Sequence, residues 1–468
     1  EELLAQQISM RKHHQRRQRA RAQPLAGTQV LGTRLLEELP FRPTRAQEGA
    51  LKEIRADLAK PHPMQRLLQG DVGSGKTIVA ALAALQAIES GAQVAVMAPT
   101  EILAEQNFNK FRGWLSKLGL EVIWLGGTQG KKQRREALAR VASGEAHATV
   151  GTHALFQEQV EFARLGLCIV DEQHRFGVQQ RLALRRKGTD GVSHDEPHQL
   201  MMSATPIPRT LAMSFYADLD VSVIGELPPG RTPIVTKLLA DTRREEVEHR
   251  IRDACVQGGQ AYWVCPLIEE SEALQLKTAL ETFERIQTTF PELRVGLVHG
   301  RLKGDEKAAV MQAFKQGAIQ LLVATTVIEV GVDVPNASMM VIEHAERMGL
   351  AQLHQLRGRV GRGTQASVCV LLYQQPLGAL ARERLRIIFE NTDGFEIARE
   401  DLRIRGPGEL LGARQSGMPM LRFADLNADA DLLEAARDAA ASMLKNHPDL
   451  ARAHLQRWLG GRQDYLRV

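Results

Sequence analysis

Gly70-Asp71-Val72-Gly73-Ser74-Gly75-Lys76-Thr77 is the stretch that decides the fold. It matches the phosphate-loop pattern G-x-x-x-x-G-K-[ST]. An apolar run, Arg66-Leu67-Leu68, leads into it, and Ile78–Ile88, rich in Ala and Leu at helical spacing, leads out. The glycines let successive backbone N–H groups curl around phosphate oxygens, and a helix starting at the end of the loop adds partial positive charge. In such a loop Lys76 reaches the β- and γ-phosphates and the Thr77 hydroxyl ligates Mg2+. A chance match in a chain of 468 residues arises on the order of a per cent of the time at average residue frequencies. The strand–loop–helix context lowers that further.

About a hundred residues on, Leu167-Cys168-Ile169-Val170 delivers Asp171-Glu172-Gln173-His174 to the C-terminal end of a predicted strand. Parallel sheets place their ligands at that end. An Asp there holds Mg2+, and a neighbouring Glu orients or deprotonates an attacking water. Alone, the tetrapeptide is an ordinary charged strand end. Paired with the phosphate loop it reads as ATP hydrolysis.

Other apolar runs extend the pattern: Val94–Met97, Glu121–Trp124, Ala148–Val150 and Leu200–Met202, with a helical stretch at Ile102–Leu118. Buried strands separated by helices mark a parallel α/β sheet. Pro228-Pro229-Gly230-Arg231-Thr232-Pro233 breaks the rhythm as a linker. Strands are then expected at Ile234–Leu238, Ala261–Cys265, Arg294–Val298, Gln320–Ala324, Met339–Ile342 and Ser367–Leu372, and helices at Arg243–Val256, Glu272–Thr288 and Asp305–Lys315. The expected division is a basic helical lead-in over 1–39, a first α/β lobe over 40–227, a second over 228–376 and a helical region over 377–468. The polar stretch Lys187–His198 reads as a surface insertion, and residues 1–25, with Arg11, Lys12, Arg16, Arg17, Arg19 and Arg21, as a solvated helix or a nucleic-acid contact.

Composition narrows the function classes. Apolar residues at 44% and charged residues at 25% exclude a disordered or collagenous chain. With aromatics at 4%, a nucleic-acid partner is held by its backbone rather than by rows of stacked bases. The net charge of +5 permits a polyanionic partner. No apolar run approaches the roughly 18 residues of a membrane span, and the first residues, Glu1-Glu2-Leu3-Leu4, do not resemble a signal peptide. The expectation is a soluble cytoplasmic protein without a membrane partner; lacking an initiator Met, it reads as a fragment of something longer. Cys168, Cys255, Cys265 and Cys369 are far apart and read as buried thiols.

The second half contributes Gln355-Leu356-Arg357-Gly358-Arg359-Val360-Gly361-Arg362. Arg359 and Arg362, three residues apart, are suited to reach the γ-phosphate of a nucleotide held by the first lobe, as arginine fingers in cis. Closure of the cleft would then depend on the γ-phosphate, giving a two-state element that hydrolysis releases.

These segments, with others, resemble the superfamily 2 helicases in their order along the chain. Phe41 to Gln47 resembles the adenine-reading Q motif, with Gln47 as base reader and Phe41 as stacking partner; Pro43 stands where that motif usually has an aliphatic residue. Ala98-Pro99-Thr100-Glu101 and Gly151-Thr152-His153-Ala154 resemble the strand-end motifs that contact nucleic-acid backbone through Thr100 and Thr152. Ser203-Ala204-Thr205-Pro206 resembles the motif coupling hydrolysis to movement, and Ala324-Thr325-Thr326 through Asp333 the one linking backbone and nucleotide. The resemblance implies two tandem RecA-like parallel-sheet lobes of the P-loop NTPase class, followed by a mainly helical C-terminal region.

Two segments resemble the RecG family of branched-DNA helicases more than its relatives. One is Asp171 to Val178, where the transcription-repair coupling factors usually read Glu-Gln in place of Gln173-His174; the other is Asp401 to Gly417, similar to the family's translocation motif. The resemblance implies coupling roles for His174, Ser203, Thr205, Asp333, Arg384, Arg405 and Gln415, and a backbone contact at Thr325. It implies ATP and Mg2+ as cofactors and branched DNA, at forks and junctions, as partner. A single-stranded DNA-binding protein, a monomeric state and a bacterial, nucleoid-associated location belong to the same implication, as does an N-terminal wedge domain of which residues 1–39 resemble only the trailing helix. Two alternatives stay open: another superfamily 2 motor, acting on RNA or coupled to transcription, and an ATP-gated clamp that does not unwind.

Overall fold

The computed structural model describes residues 1–127, 129–172, 195–204, 219–227, 233–265, 272–325, 334–363, 365–410, 423–424 and 429–460. In the first lobe the apolar runs become strands, most of them buried on both faces: β1 (Gln65–Gly70), β2 (Gln93–Met97), β3 (Val122–Leu125), β4 (Ala148–Gly151), β5 (Leu165–Val170) and β6 (His198–Ser203), joined by a partly exposed edge strand, β7 (Asp220–Ile224). They lie in the order β3-β4-β2-β5-β6-β1-β7 with every pairing parallel. Met97 pairs with Val170 and Gln69 with Ser203, so the loops after β2, β5, β1 and β6 open on one edge. Flanking helices are α1 (Glu2–Arg19), α2 (Val30–Glu38), α3 (Arg45–Leu58), α4 (Lys76–Glu89), α5 (Glu101–Leu115) and α6 (Lys131–Ala142). In α4 every residue from Ile78 to Ile88 is buried, as a helix apolar on all sides must be, and it forms the centre of the lobe's core.

The second lobe repeats the plan with β8 (Val235–Ala240), β9 (Gln260–Val264), β10 (Val295–Val298), β11 (Leu321–Ala324), β12 (Ala337–Ile342) and β13 (Val368–Tyr373), in the order β10-β11-β9-β12-β13-β8. Its helices are α7 (Arg244–Val256), α8 (Glu272–Thr289), α9 (Gly304–Lys315) and α10 (Leu350–Arg357). Alternate residues feed separate cores on the two faces. Tyr262, Val264 and Leu322 go to one, Trp263, Val323 and Val341 to the other.

Behind the lobes stand α11 (Ala379–Glu390), α12 (Gly394–Leu410), α13 (Ala430–Asn446) and α14 (Pro448–Leu459). The lead-in is not a solvated tail. α1 packs Ala5 and Ile8 against Ala440, Ala451 and Leu455, and its Arg17 pairs with Asp220 of the first sheet at 2.8 Å. The Lys187–His198 surface reading also fails at its last residue. His198 is fully buried at the start of β6, where its Nδ1 accepts from the Met64 N–H (3.1 Å) and its Nε2 lies 2.8 Å from the Gln23 carbonyl. Burial lowers its pKa, as befits a neutral imidazole satisfied on both nitrogens. No described helix is long and apolar enough to cross a membrane. All four cysteines are free and buried.

Candidate functional site

β1 ends at Gly70 and the chain turns through Gly73 (φ 80°) and Gly75 (φ 83°) before α4 begins at Lys76. These left-handed positions favour glycine. A Cβ at Gly75 would strike the amide of Gln47. Gln47 braces the loop from behind: its Oε1 accepts from the Thr44 N–H (2.9 Å) as part of a capping box on α3, and its Nε2 donates to the Ser74 carbonyl (2.7 Å). Phe41, its expected partner in base reading, is 46% exposed. Lys76 Nζ donates to the carbonyls of Gly70 (2.7 Å) and Asp71 (3.1 Å), keeping the ammonium in the mouth of the loop. Burial lowers the pKa of Lys76. Glu172, Asp171 and Asp71 oppose that shift, and the nearby charge of Arg362 adds to it.

Two strands over, β5 ends at Val170 and leads directly into Asp171 and Glu172. Asp171 is 8% exposed; its Oδ1 accepts from the Glu172 N–H and its Oδ2 from Asn107 Nδ2, both at 3.0 Å. Burial first, and then the adjacent Glu172 charge, raise its pKa, with Asn107 and Lys76 pulling the other way. This is an anionic corner of hard oxygen donors. Glu172 sits at φ 51°, a left-handed conformation that turns its carboxylate toward β6, where the Ala204 N–H approaches Oε2 at 3.5 Å. The segment beginning Ser203-Ala204 therefore touches the Asp-Glu motif directly. Ser203 is buried at the end of β6.

The second lobe closes on this edge through α10. His354 Nε2 meets Asp71 Oδ1 at 2.7 Å, and the Val72 N–H also donates to that oxygen (2.6 Å). Burial pushes the Asp71 carboxyl up, but the His354 hydrogen bond and charge, the Val72 N–H and Lys76 together hold it below the usual carboxylate range. Gly358 lies against Val72 so closely that a Cβ would come within 2.8 Å of the valine Cβ. Arg357 is 3% exposed and donates to the carbonyls of Ile388 (2.8 Å) and Asn391 (2.9 Å) and to Thr236 Oγ1 (3.2 Å), anchoring α10 to β8 and to the C-terminal end of α11. Arg359 and Arg362 come next along the chain, with Arg362 Nε donating to the Gly358 carbonyl (3.4 Å). A cavity of 340 Å3 lies between the lobes, lined by Asp71, Val72, Glu226, His354, Arg357 and Asp393 among others.

The expected backbone-contact residues fall in two places. Thr100 caps α5 by accepting from the Leu103 N–H (3.4 Å), and Glu101 Oε1 accepts from the Gly127 N–H (2.8 Å) and Thr152 Oγ1 (3.3 Å). Thr152 is 2% exposed, its hydroxyl engaged within the protein. Thr325 is in the other lobe, buried at the end of β11, its N–H on the Val298 carbonyl (3.2 Å). Arg384 donates to the Glu346 carbonyl (3.0 Å), and Arg405 pairs with Asp401 at 3.0 Å while lying over Gly349, the residue that precedes α10. His174, Thr205, Asp333 and Gln415 lie outside the described residues. Sequence reasoning missed His354, Arg357 and Asn107. His354 carried one signal, its i,i+3 spacing from Arg357 on a helix that ends at the arginine motif.

Residues 44–214 match the DEAD/DEAH box helicase family, 245–364 the helicase conserved C-terminal domain, and 391–457 the C-terminal part of domain 3 of ATP-dependent DNA helicase RecG. The chain is 57% identical over 466 residues to the ATP-dependent DNA helicase RecG of Escherichia coli O157:H7, a match covering 99% of this chain and 67% of that protein. The chain belongs to the RecG family. The RecG of Haemophilus influenzae is 54% identical over the same span, and that of Aquifex aeolicus 52% over 89% of this chain. A solved RecG bound to a three-way DNA junction superposes with a TM-score of 0.74 at 44% identity, covering 92% of this chain and 56% of that one. This chain therefore spans about two thirds of the E. coli and H. influenzae proteins and just over half of the A. aeolicus and solved ones. S. cerevisiae Dbp5 bound to RNA and ADP BeF3 (TM-score 0.58, 16% identity, 89% of this chain) shares the two-lobed fold alone. The family's enzyme class, an ATP-hydrolysing DNA helicase, is that of this chain.

Proposed function

We propose that this chain is the motor of an ATP-dependent translocase and helicase that remodels branched DNA in recombination and repair. The observation that carries the reading is the closure of the second lobe onto the phosphate loop, with Asp71 bonded to His354 and Gly358 packed against Val72. The division that goes with it is lead-in 1–39, lobes 40–227 and 228–376, and helical region 377–468.

In this reading the loop amides of Gly70 to Thr77, the start of α4 and Lys76 hold the β- and γ-phosphates of ATP, with Gln47 and Phe41 on the base side. Thr77 and Asp171 supply the hard oxygens that suit Mg2+, which P-loop sites hold with one or two protein oxygens plus phosphate rather than a full cage. Consistent with that, among the described residues no three His, Cys, Asp or Glu side chains gather as a cage. Held there, Mg2+ would help neutralise the charge of the phosphates. Glu172 takes the proton from the attacking water, and its link to Ala204 passes the state of the site to β6. Arg359 and Arg362 stabilise the charge of the transferring group. The track is held through its phosphates, with Thr100, Thr152 and Thr325 placing the backbone-contact loops, while Ser203, Arg384 and Arg405 (with His174, Thr205, Asp333 and Gln415) couple the lobes to movement.

The test is steady-state ATPase activity with forked DNA, linear duplex and no DNA. Stimulation by the fork above that by linear duplex is expected. Equal rates in all three conditions would overturn the reading.

A further inference from the structure

α5 turns one amide into the core of the first lobe, beside Ala104 and Phe111, which are fully buried on the same helix. This is Asn107, 3% exposed, with Nδ2 at 3.0 Å from Asp171 Oδ2. A buried amide left without a hydrogen bond is costly, so a site that needed only to be filled would suit an aliphatic side chain better. The carboxylate opposite it accepts only, which fixes the flip of the amide: the NH2 group faces Asp171. With the Glu172 N–H on Oδ1, each oxygen of Asp171 takes one donor, and the two donors come from different elements. Rotation of the carboxylate about its Cβ–Cγ bond is thereby fixed. Each oxygen keeps lone-pair capacity on the side away from its donor.

We infer that Asn107 is a positioning residue for the divalent cation of the ATP site, holding Asp171 in the rotamer that meets the metal–nucleotide complex. The inference rests on Asp171 as the cation ligand under the proposed function. It also makes α5 a direct tie between two sites. Thr100 caps it, its first residue Glu101 accepts from the Gly127 N–H and the Thr152 hydroxyl, and Asn107 follows six residues after Glu101. At 1.5 Å per residue that is about 9 Å of rigid helix between the backbone-contact loops and the cation corner. Orientation by such an outer partner is a general feature of metal sites, and its loss typically costs about 10–100-fold in metal affinity.

The experiment uses the full chain with Mn2+ as a paramagnetic probe, titrated in the presence of ADP and followed by electron paramagnetic resonance. ADP affinity in EDTA and the melting temperature are measured on the same samples. Asn107→Leu should weaken Mn2+ binding about 10–100-fold and leave metal-free ADP affinity and melting temperature near wild type. Asn107→His, which returns an N–H donor, should recover most of the loss. If Asn107→Leu does not fold, Asn107→Ala carries the same expectation without added volume. Wild-type Mn2+ affinity in the Leu or Ala variant, an equal loss of metal-free ADP binding, or no recovery with His would overturn the inference. Asp171→Asn separates it from the reading beneath it. If that variant loses Mn2+ while Asn107→Leu does not, only the positioning role falls; if Asp171→Asn keeps Mn2+, the ligand assignment falls and the positioning role with it.

Discussion

Glu172 occupies a backbone region that non-glycine residues enter at a cost of about 1–3 kcal/mol, and the neighbouring Ala204 N–H is the group its carboxylate gains there. A side chain held under strain between the phosphate loop and the next strand fits a base that must point at a water. Glu172→Gln keeps its size and removes its basicity, so kcat should fall about 10²–10⁴-fold with ATP affinity changed little. Lys76→Ala, in contrast, should lose turnover together with binding. Rapid-quench turnover beside equilibrium nucleotide binding checks both, and near-normal turnover in the two variants would remove these roles. Burial pushes the thiols of Cys168, Cys255 and Cys369 up to about 12 and that of Cys265 up as well, so all four stay protonated at neutral pH. Ellman's reagent at pH 8 should therefore titrate none of them in the folded chain and all four after denaturation. The phosphate loop and Asp171-Glu172 were legible in the sequence because their chemistry demands fixed residue types at fixed spacing. Asn107 and His354 were not, because each takes its meaning from a partner 64 and 283 residues away.

Elements were legible where burial is complete. Twelve of the thirteen described strands lie on predicted apolar runs, since most are covered on both faces and have no polar face to blur the pattern. β7 was missed because polar Asp220 and Ser222 alternate with its valines in Asp220-Val221-Ser222-Val223-Ile224, leaving no continuous apolar run. α1 was misjudged because its basic C-terminal half hides the short apolar face that meets α13 and α14. In the arginine motif the difficulty is reversed, because three similar residues have different jobs. Arg357 is buried and bonded to carbonyls at and beyond the end of α11, whereas Arg362 donates from Nε to the Gly358 carbonyl at the end of α10 (3.4 Å). Hydrogen bonds to a charged group contribute about 1.5–3 kcal/mol each, so Arg357→Ala should destabilise the second lobe by at least about 3 kcal/mol. That corresponds to a fall in melting temperature of roughly 6 °C or more for a unit of this size. Arg359→Ala or Arg362→Ala should leave the melting temperature in place and reduce kcat on the order of 10³-fold. Differential scanning calorimetry and ATPase assays on the three variants test this. A thermally neutral Arg357→Ala would contradict the anchoring role.

At the scale of the whole molecule, the order of strands and the way one sheet faces the other were beyond the sequence, since neither periodicity nor motif spacing carries them. What the assembled chain adds is a line of contacts from the C-terminal helices to the ATP site. Arg405 of α12 lies over Gly349 at the start of α10, and α10 carries His354 onto Asp71 and leads into Arg359 and Arg362. The acid that pairs with Arg405 is Asp401, 1% exposed, whose carboxyl burial pushes up against the opposing pull of Arg405. Arg405 thus has two conceivable roles, and they separate experimentally. If it transmits movement, Arg405→Ala retains substantial DNA-stimulated ATPase activity and loses fork unwinding, because coupling between distinct sites can be cut without touching either. If it only neutralises Asp401, the same variant leaves a buried carboxylate without its partner, lowers the melting temperature and reduces both activities together. Asp401→Asn sharpens the distinction, since it removes the charge that needs neutralising while leaving Arg405 over Gly349. Under the transmission role this variant should keep unwinding near wild type and Arg405→Ala should not. ATPase rate, fork unwinding and melting temperature measured on one preparation of each variant decide the matter, and a parallel loss of both activities with a lowered melting point in Arg405→Ala would leave it a scaffold residue.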